Sequence, residues 1–96
     1  MVEIKWTNFA IANLNDIGDY IEKDSFRYAE IVVNSLFNSV DILEQFPLAG
    51  RVVPEFNDTK IRELIRGNYR IVYRILHESR IDIVTIHHSA QLLTNF

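Results

Sequence analysis

The feature that most constrains this chain is a change of hydrophobic period near residue 60. Before it, Ala10, Leu14, Ile17 and Ile21 recur every three or four positions, and Ala29, Val33, Leu36, Val40 and Leu43 repeat the pattern. That spacing belongs to helices that bury one face. After it, apolar and polar residues alternate, the signature of strands. The spacing predicts strands over about 61–66, 69–76 and 81–88, with turns at Gly67-Asn68 and around Glu78-Ser79. Val2, Ile4 and Trp6 alternate with Glu3 and Lys5 and predict one further strand at the start.

The helices are delimited by local chemistry. Thr7 or Asn8 is placed to cap the first, and Asp24-Ser25 supplies a turn and the cap of the second. The second is expected to run about twenty residues and to stop at Phe46-Pro47, because proline disfavours helical geometry in the residue before it. So short a connection between them implies an antiparallel αα-hairpin. Leu48 to Thr59 contains Gly50, Pro54, Asn57 and Asp58 and reads as an irregular connector. The expected fold is therefore α+β: an N-terminal strand, an antiparallel two-helix hairpin, then a three-stranded antiparallel sheet packed on the helices. One domain is expected over 1–96, since a chain of 96 residues holds a single core.

The turns suggest a register. A two-residue loop at Gly67-Asn68 sets Arg66 opposite Tyr69, Leu64 opposite Ile71 and Glu63 opposite Val72. A turn centred on Glu78-Ser79 sets Ile71 opposite Ile86, Tyr73 opposite Val84 and Arg70 opposite His87. Tyr69, Ile71, Tyr73, Ile75, Val84 and Ile86 then face the helices. Glu63, Arg70, Val72, Arg74, Ile83, Thr85 and His87 share the other, open face, where Glu63 can pair with Arg70 or Arg74.

Charge sharpens that face. Residues 1–48 carry eight acids and three bases, whereas residues 49–96 carry five acids and seven bases, including six of the seven arginines. The total of −3 argues against nonspecific coating of nucleic acid, which needs a broadly basic surface. Arg70 and Arg74 read either as a solvated strand face or as guanidinium forks for a carboxylate or phosphate. His87 and His88 point to opposite faces and cannot chelate one ion together, and with no carboxylate cluster beside them no metal is expected; with no P-loop and no dinucleotide fingerprint, no cofactor is expected either. His87 opposite Arg70 is a candidate acid or base; Glu55 reads as a loop glutamate or as a base near the sheet. Without cysteine there is no disulfide framework, and the expected compartment is the cytoplasm. No apolar run approaches the roughly 20 residues that span a bilayer, and no membrane partner is expected. Leu92, Leu93 and Phe96 in the tail are expected to pack on their own domain.

The segment from Arg62 through Gly67-Asn68-Tyr69-Arg70 to Ile75 resembles the signature of the RelE/ParE superfamily of bacterial toxins. The connector Phe46-Pro47-Leu48-Ala49-Gly50-Arg51-Val52-Val53-Pro54-Glu55, the strand Ile83-Val84-Thr85-Ile86-His87-His88 and the opening Trp6-Thr7 with Ala10 fit as well. The resemblance implies a toxin bound by a cognate antitoxin in a hetero-oligomer. It also implies one of two targets: ribosome-bound mRNA, which RelE-like members cut, or DNA gyrase, which ParE-like members inhibit without being enzymes. In a nuclease, Arg70, His87 and Glu55 would occupy the catalytic positions. For partner binding the expected set is Arg51, Glu63, Arg70, Arg74, Thr85 and His87. The connector lacks the lysine cluster of RelE-like members, holding only Arg51 before Lys60, and the tail has neither tyrosine nor histidine. The ParE-like, gyrase-inhibiting reading is therefore the expectation, with an mRNA endonuclease as the alternative and a non-toxic antitoxin-binding member as a second.

Overall fold

The computed structural model describes residues 1–77 and 79–88. The elements follow in the order β1 (Glu3–Trp6), α1 (Asn8–Glu22), α2 (Phe26–Asn38), a 3₁₀ helix (Ser39–Glu44), β2 (Arg51–Val52), β3 (Ile61–Arg66), β4 (Tyr69–His77) and β5 (Arg80–His88). The α+β class is as expected, but the sheet has five strands rather than three, in the order β1-β5-β4-β3-β2. The N-terminal strand joins it by lying parallel to β5, and the start of the connector adds β2 beside β3. Neither pairing has a local signal, because each joins segments that no tight turn connects. Leu92, Leu93 and Phe96, expected to pack on their own domain, lie outside the described residues.

Both helices begin where side-chain caps are available. Thr7 accepts from the Ala10 amide at 3.1 Å and Ser25 from the Tyr28 amide at 3.1 Å, each satisfying one orphan donor of a first turn. The second helix is shorter than its apolar stripe. At Ser39 the hydroxyl donates to the Leu36 carbonyl at 2.7 Å, and the chain tightens into the 3₁₀ turn. Three residues per turn align Val40 with Leu43, and both are buried. Phe46-Pro47 follows, as the stop signal requires.

The helix-side core joins Ala10, Leu14, Leu36, Val40 and Leu43 to Leu64, Ile71, Tyr73, Ile81, Ile83 and Ile86 of the sheet. Burying one aliphatic side chain of this size contributes about 1.5–3 kcal/mol. The hairpin at Gly67, where φ is 58°, produces the expected pairs Arg66 with Tyr69, Leu64 with Ile71 and Glu63 with Val72. Positive φ is a conformation glycine adopts without a Cβ penalty.

Between β4 and β5 the expected register holds for Arg70 with His87 and Ile71 with Ile86, then shifts. Val72 pairs with Thr85 but Tyr73 pairs with Ile83, not with Val84. Val84 is an extra residue in β5, and such a bulge reverses the alternation beyond it. Ile83 therefore enters the helix-side core, while Val84 packs with Val53, Val72, Phe56 and Ile61 in a second cluster. The two residues exchange the faces expected of them.

Candidate functional site

The second cluster explains how the connector is held. The Phe56 and Asn57 amides both donate to the Val53 carbonyl, at 3.1 and 2.9 Å, forming a tight turn in which Asn57 has positive φ. Ile61 donates back to Asp58 at 3.0 Å, and Ile75 donates to Lys60 at 2.8 Å. Val53, fully buried, and Phe56 then rest on Val72. The sheet face expected to be open is thus partly roofed by the connector, and Glu55 is delivered to it.

Under that roof four charged side chains alternate in sign. Arg70 donates from Nη1 to Glu55 Oε2 and from Nη2 to Glu55 Oε1, both at 2.7 Å. Its Nε donates to Glu63 Oε1 at 2.6 Å, and the other Glu63 oxygen accepts from Arg51 Nε at 2.6 Å. Side-chain exposure is 0% for Glu63, 6% for Arg70, 18% for Glu55 and 59% for Arg51. Charge-assisted, bidentate contacts of this kind are the strong ones, and buried charges need such pairing. The Glu55 hydrogen bonds hold the Arg70 guanidinium protonated well above its ordinary range; burial opposes this and Glu63 assists it.

The other expected residues are placed differently. His87 is half-buried on the strand beside Arg70. Arg74 is exposed, with Ile61 and Asp82 as cross-strand neighbours. Thr85 is buried, and its hydroxyl donates to Asn13 Oδ1 of α1 at 2.7 Å. The same oxygen accepts the Ile86 amide at 3.1 Å, so Asn13 ties α1 to β5. The structure brings Arg51, Glu55, Glu63 and Arg70 together, sets His87 alongside, and commits the Thr85 hydroxyl to a helix.

Two residues that sequence reasoning passed over organise the near end of the connector. Tyr73 Oη donates to the Pro47 carbonyl at 2.8 Å and accepts the Gly50 amide at 2.9 Å. Arg62 donates to the Gly50 carbonyl at 3.0 Å and the Thr59 carbonyl at 2.9 Å. A Cβ on Gly50 would lie 2.6 Å from the Glu63 carbonyl oxygen and 2.7 Å from the Tyr73 ring. Glycine is required there by the close approach of backbone and phenol. A polar tip on an otherwise apolar strand position was the available signal for Tyr73.

Chemically, the array is self-satisfied: Glu55 fills the two-pronged face of Arg70, and Glu63 fills its Nε edge. An incoming phosphate or carboxylate would have to displace Glu55.

Comparison with known proteins agrees with this architecture. A chain of 37% identity over 90 residues, covering 92% of this protein and 88% of the relative, is described as putative toxin Y4kP of Sinorhizobium fredii. Toxin RelE2 of Caulobacter vibrioides is 29% identical over 92 residues, covering 96% of this chain and all of that one. Among solved structures, a chromosomal ParDE toxin–antitoxin system from P. aeruginosa superimposes with a TM-score of 0.74 at 26% identity, covering 92% of this chain and 96% of that one. The RelBE2 toxin–antitoxin complex of Mycobacterium tuberculosis shares the fold, with a TM-score of 0.54 at 22% identity and coverage of 91% and 96%. The family model described as ParE toxin of type II toxin-antitoxin system, parDE, matches residues 4–93, and the chain belongs to that family.

Proposed function

We propose that this toxin inhibits DNA gyrase, in the ParE-like manner, and is neutralised by a cognate antitoxin in a hetero-oligomer. The observation that carries the choice of target is the state of Arg70. In a nuclease this arginine would have to meet a phosphate, yet Arg70 is 5% exposed and its guanidinium is bonded to Glu55 and Glu63. Glu55, the candidate base, has both oxygens committed to the same arginine. The acidic total charge of −3 also suits a protein target better than ribosomal RNA. A cytoplasmic location follows from a gyrase target.

The antitoxin is supported by the exposed apolar surface. Phe26, Tyr28, Ile31 and Phe37 of α2 are each about half or more exposed, from 46% to 65%, a surface that a partner would cover.

The test is a paired assay on the purified toxin: inhibition of gyrase supercoiling and cleavage of mRNA on programmed ribosomes. Supercoiling inhibition without cleavage is the expected result. Ribosome-dependent cleavage that disappears in a folded Arg70→Ala variant would overturn the proposal in favour of the endonuclease. If neither activity is seen and expression is harmless, a non-toxic antitoxin-binding role replaces both.

A further inference from the structure

The connector begins as a braced turn that carries exposed apolar side chains. The Phe46 amide donates to the Ile42 carbonyl and the Ala49 amide to the Phe46 carbonyl, both at 3.0 Å. Tyr73 Oη donates to the Pro47 carbonyl and accepts the Gly50 amide, and Arg62 donates to the Gly50 carbonyl. Phe46, Pro47, Ala49 and Gly50 thus each have a backbone group tied down. Helical spacing sets Ile42 and Phe46 on one side of the chain, and Leu48 follows two residues on. All three are large apolar residues that stay exposed, Phe46 and Leu48 by more than half. Apolar side chains grouped in solvent mark a contact surface. Because the turn is ordered beforehand, docking on it avoids the cost of ordering a loop.

Arg51 comes next in the chain. Its Nε is held by the buried Glu63 carboxylate, which Arg70 holds in turn. A guanidinium is planar and rigid, so fixing Nε fixes the direction of the whole fork. Among the described residues nothing accepts from Nη1 or Nη2 of Arg51, and the side chain is largely exposed. The outer end of the charged array is therefore a pre-oriented pair of donors at the sheet edge. That geometry matches the two oxygens of one carboxylate.

Resting on the gyrase reading, we propose that Arg51, with Leu48 and Phe46, forms the surface that docks on gyrase and takes an exposed aspartate or glutamate set beside apolar side chains. The carboxylate accepts from Nη1 and Nη2 of Arg51, and its apolar neighbours rest on Leu48 and Phe46. Arginine and aromatic side chains are the types enriched at the energetic centres of protein interfaces. Glu63 is the positioning residue for this contact, since it touches only the inner edge of the fork. A phosphate of gyrase-bound DNA fits less well. The array holds two cations and two anions, whereas surfaces that follow a phosphate backbone gather cations.

The test measures binding of the full chain, fluorescently labelled, to purified gyrase with and without DNA, alongside supercoiling inhibition. Leu48→Ser alters an exposed side chain and is expected to leave the urea midpoint unchanged while weakening binding and inhibition at least about tenfold. Arg51→Lys keeps a cation near Glu63 but loses the fork, and a loss of at least about tenfold is expected with and without DNA. Tyr20→Ser removes a similarly exposed ring from α1 and is expected to change neither reading by more than about twofold. If Leu48→Ser and Arg51→Lys both match the wild-type chain, the docking surface is overturned and the gyrase reading stands. A loss in Leu48→Ser alone overturns the role of the fork. An Arg51→Lys loss confined to DNA-bound gyrase overturns the carboxylate in favour of a phosphate. Gyrase that the wild-type chain neither binds nor inhibits removes the gyrase reading and the docking surface with it.

Discussion

Arg70 and Glu55 lie 15 positions apart in the chain, yet their side chains meet through two hydrogen bonds of 2.7 Å, one to each carboxylate oxygen. The contact closes the connector over the sheet and places a positive charge between two negative ones. Removing the shared cation leaves Glu63, fully buried, with its contact to the largely exposed Arg51. Arg70→Ala is therefore expected to destabilise the fold by about 3–5 kcal/mol, the range for breaking a buried pair, read as a lower urea midpoint. Arg70→Lys should recover only part of this, since an ammonium cannot form the two-pronged contact.

The two acids of the array should be unequal. Glu63 sits at the centre with no side-chain exposure, whereas Glu55 is 18% exposed and solvent screens it. Glu63→Ala is expected to cost about 3–5 kcal/mol, and Glu55→Ala about 1.5–3 kcal/mol. Equilibrium unfolding of the two variants side by side checks the order. Faster proteolysis within the connector should accompany the Glu55 variant, because its tether to β4 is lost.

Tyr73 gives the fold an alkaline limit. Burial pushes its phenol up; the hydrogen bond with Gly50 and the charge of Arg62 work against that shift. The unfolded chain loses this proton near pH 10, while the folded chain holds it to higher pH. The stabilisation is complete below about pH 10 and is lost as pH rises through the folded value. Tyr73→Phe should flatten this part of the stability profile. At neutral pH it should cost about 1–3 kcal/mol, since the buried Gly50 amide loses its acceptor. Urea unfolding at a series of pH values from neutrality upward measures both effects.

Gly50 should not tolerate a side chain. A Cβ there meets the Glu63 backbone oxygen at 2.6 Å, and backbone cannot move aside as a flexible side chain can. Gly50→Ala is expected to lose about 1–3 kcal/mol through overpacking, visible as a lower thermal midpoint. The Tyr73→Phe change should not relieve it, because the closest contact is with the strand itself.

Asn13 is expected to matter more than its place on a helix suggests. Asn13→Ala leaves the Thr85 hydroxyl and the Ile86 amide without the acceptor they share. A cost of about 1–3 kcal/mol is expected for unsatisfied buried donors, together with faster hydrogen exchange at Ile86. Asn13→Asp keeps the acceptor and should preserve the exchange protection.

Local pattern carried much of this protein. The three-four spacing of Ala10, Leu14 and Ile17 and of Ala29, Val33 and Leu36 specified the helical hairpin. The alternation around Gly67-Asn68 specified β3, β4 and their register, because a two-residue turn leaves little freedom in pairing. Thr7 and Ser25 were legible as caps for the same reason: each acts on amides within three residues of itself.

Tertiary structure alone decided the rest. Whether Arg70 was an open guanidinium or a committed one depended on Glu55, whose segment has no period and is positioned by Val53 and Phe56 resting on Val72. The extra residue at Val84, which exchanged the faces of Ile83 and Val84, left no mark in local alternation, since β-branched residues suit either side of a sheet with apolar packing on both faces. The place of β1 beside β5 joined residues nearly eighty positions apart, and with it the sheet acquired its open edge. Backbone periodicity is a local property and can be read along the chain. Charge pairing, bulges and sheet edges depend on which distant segments meet, and only the packed chain determines that.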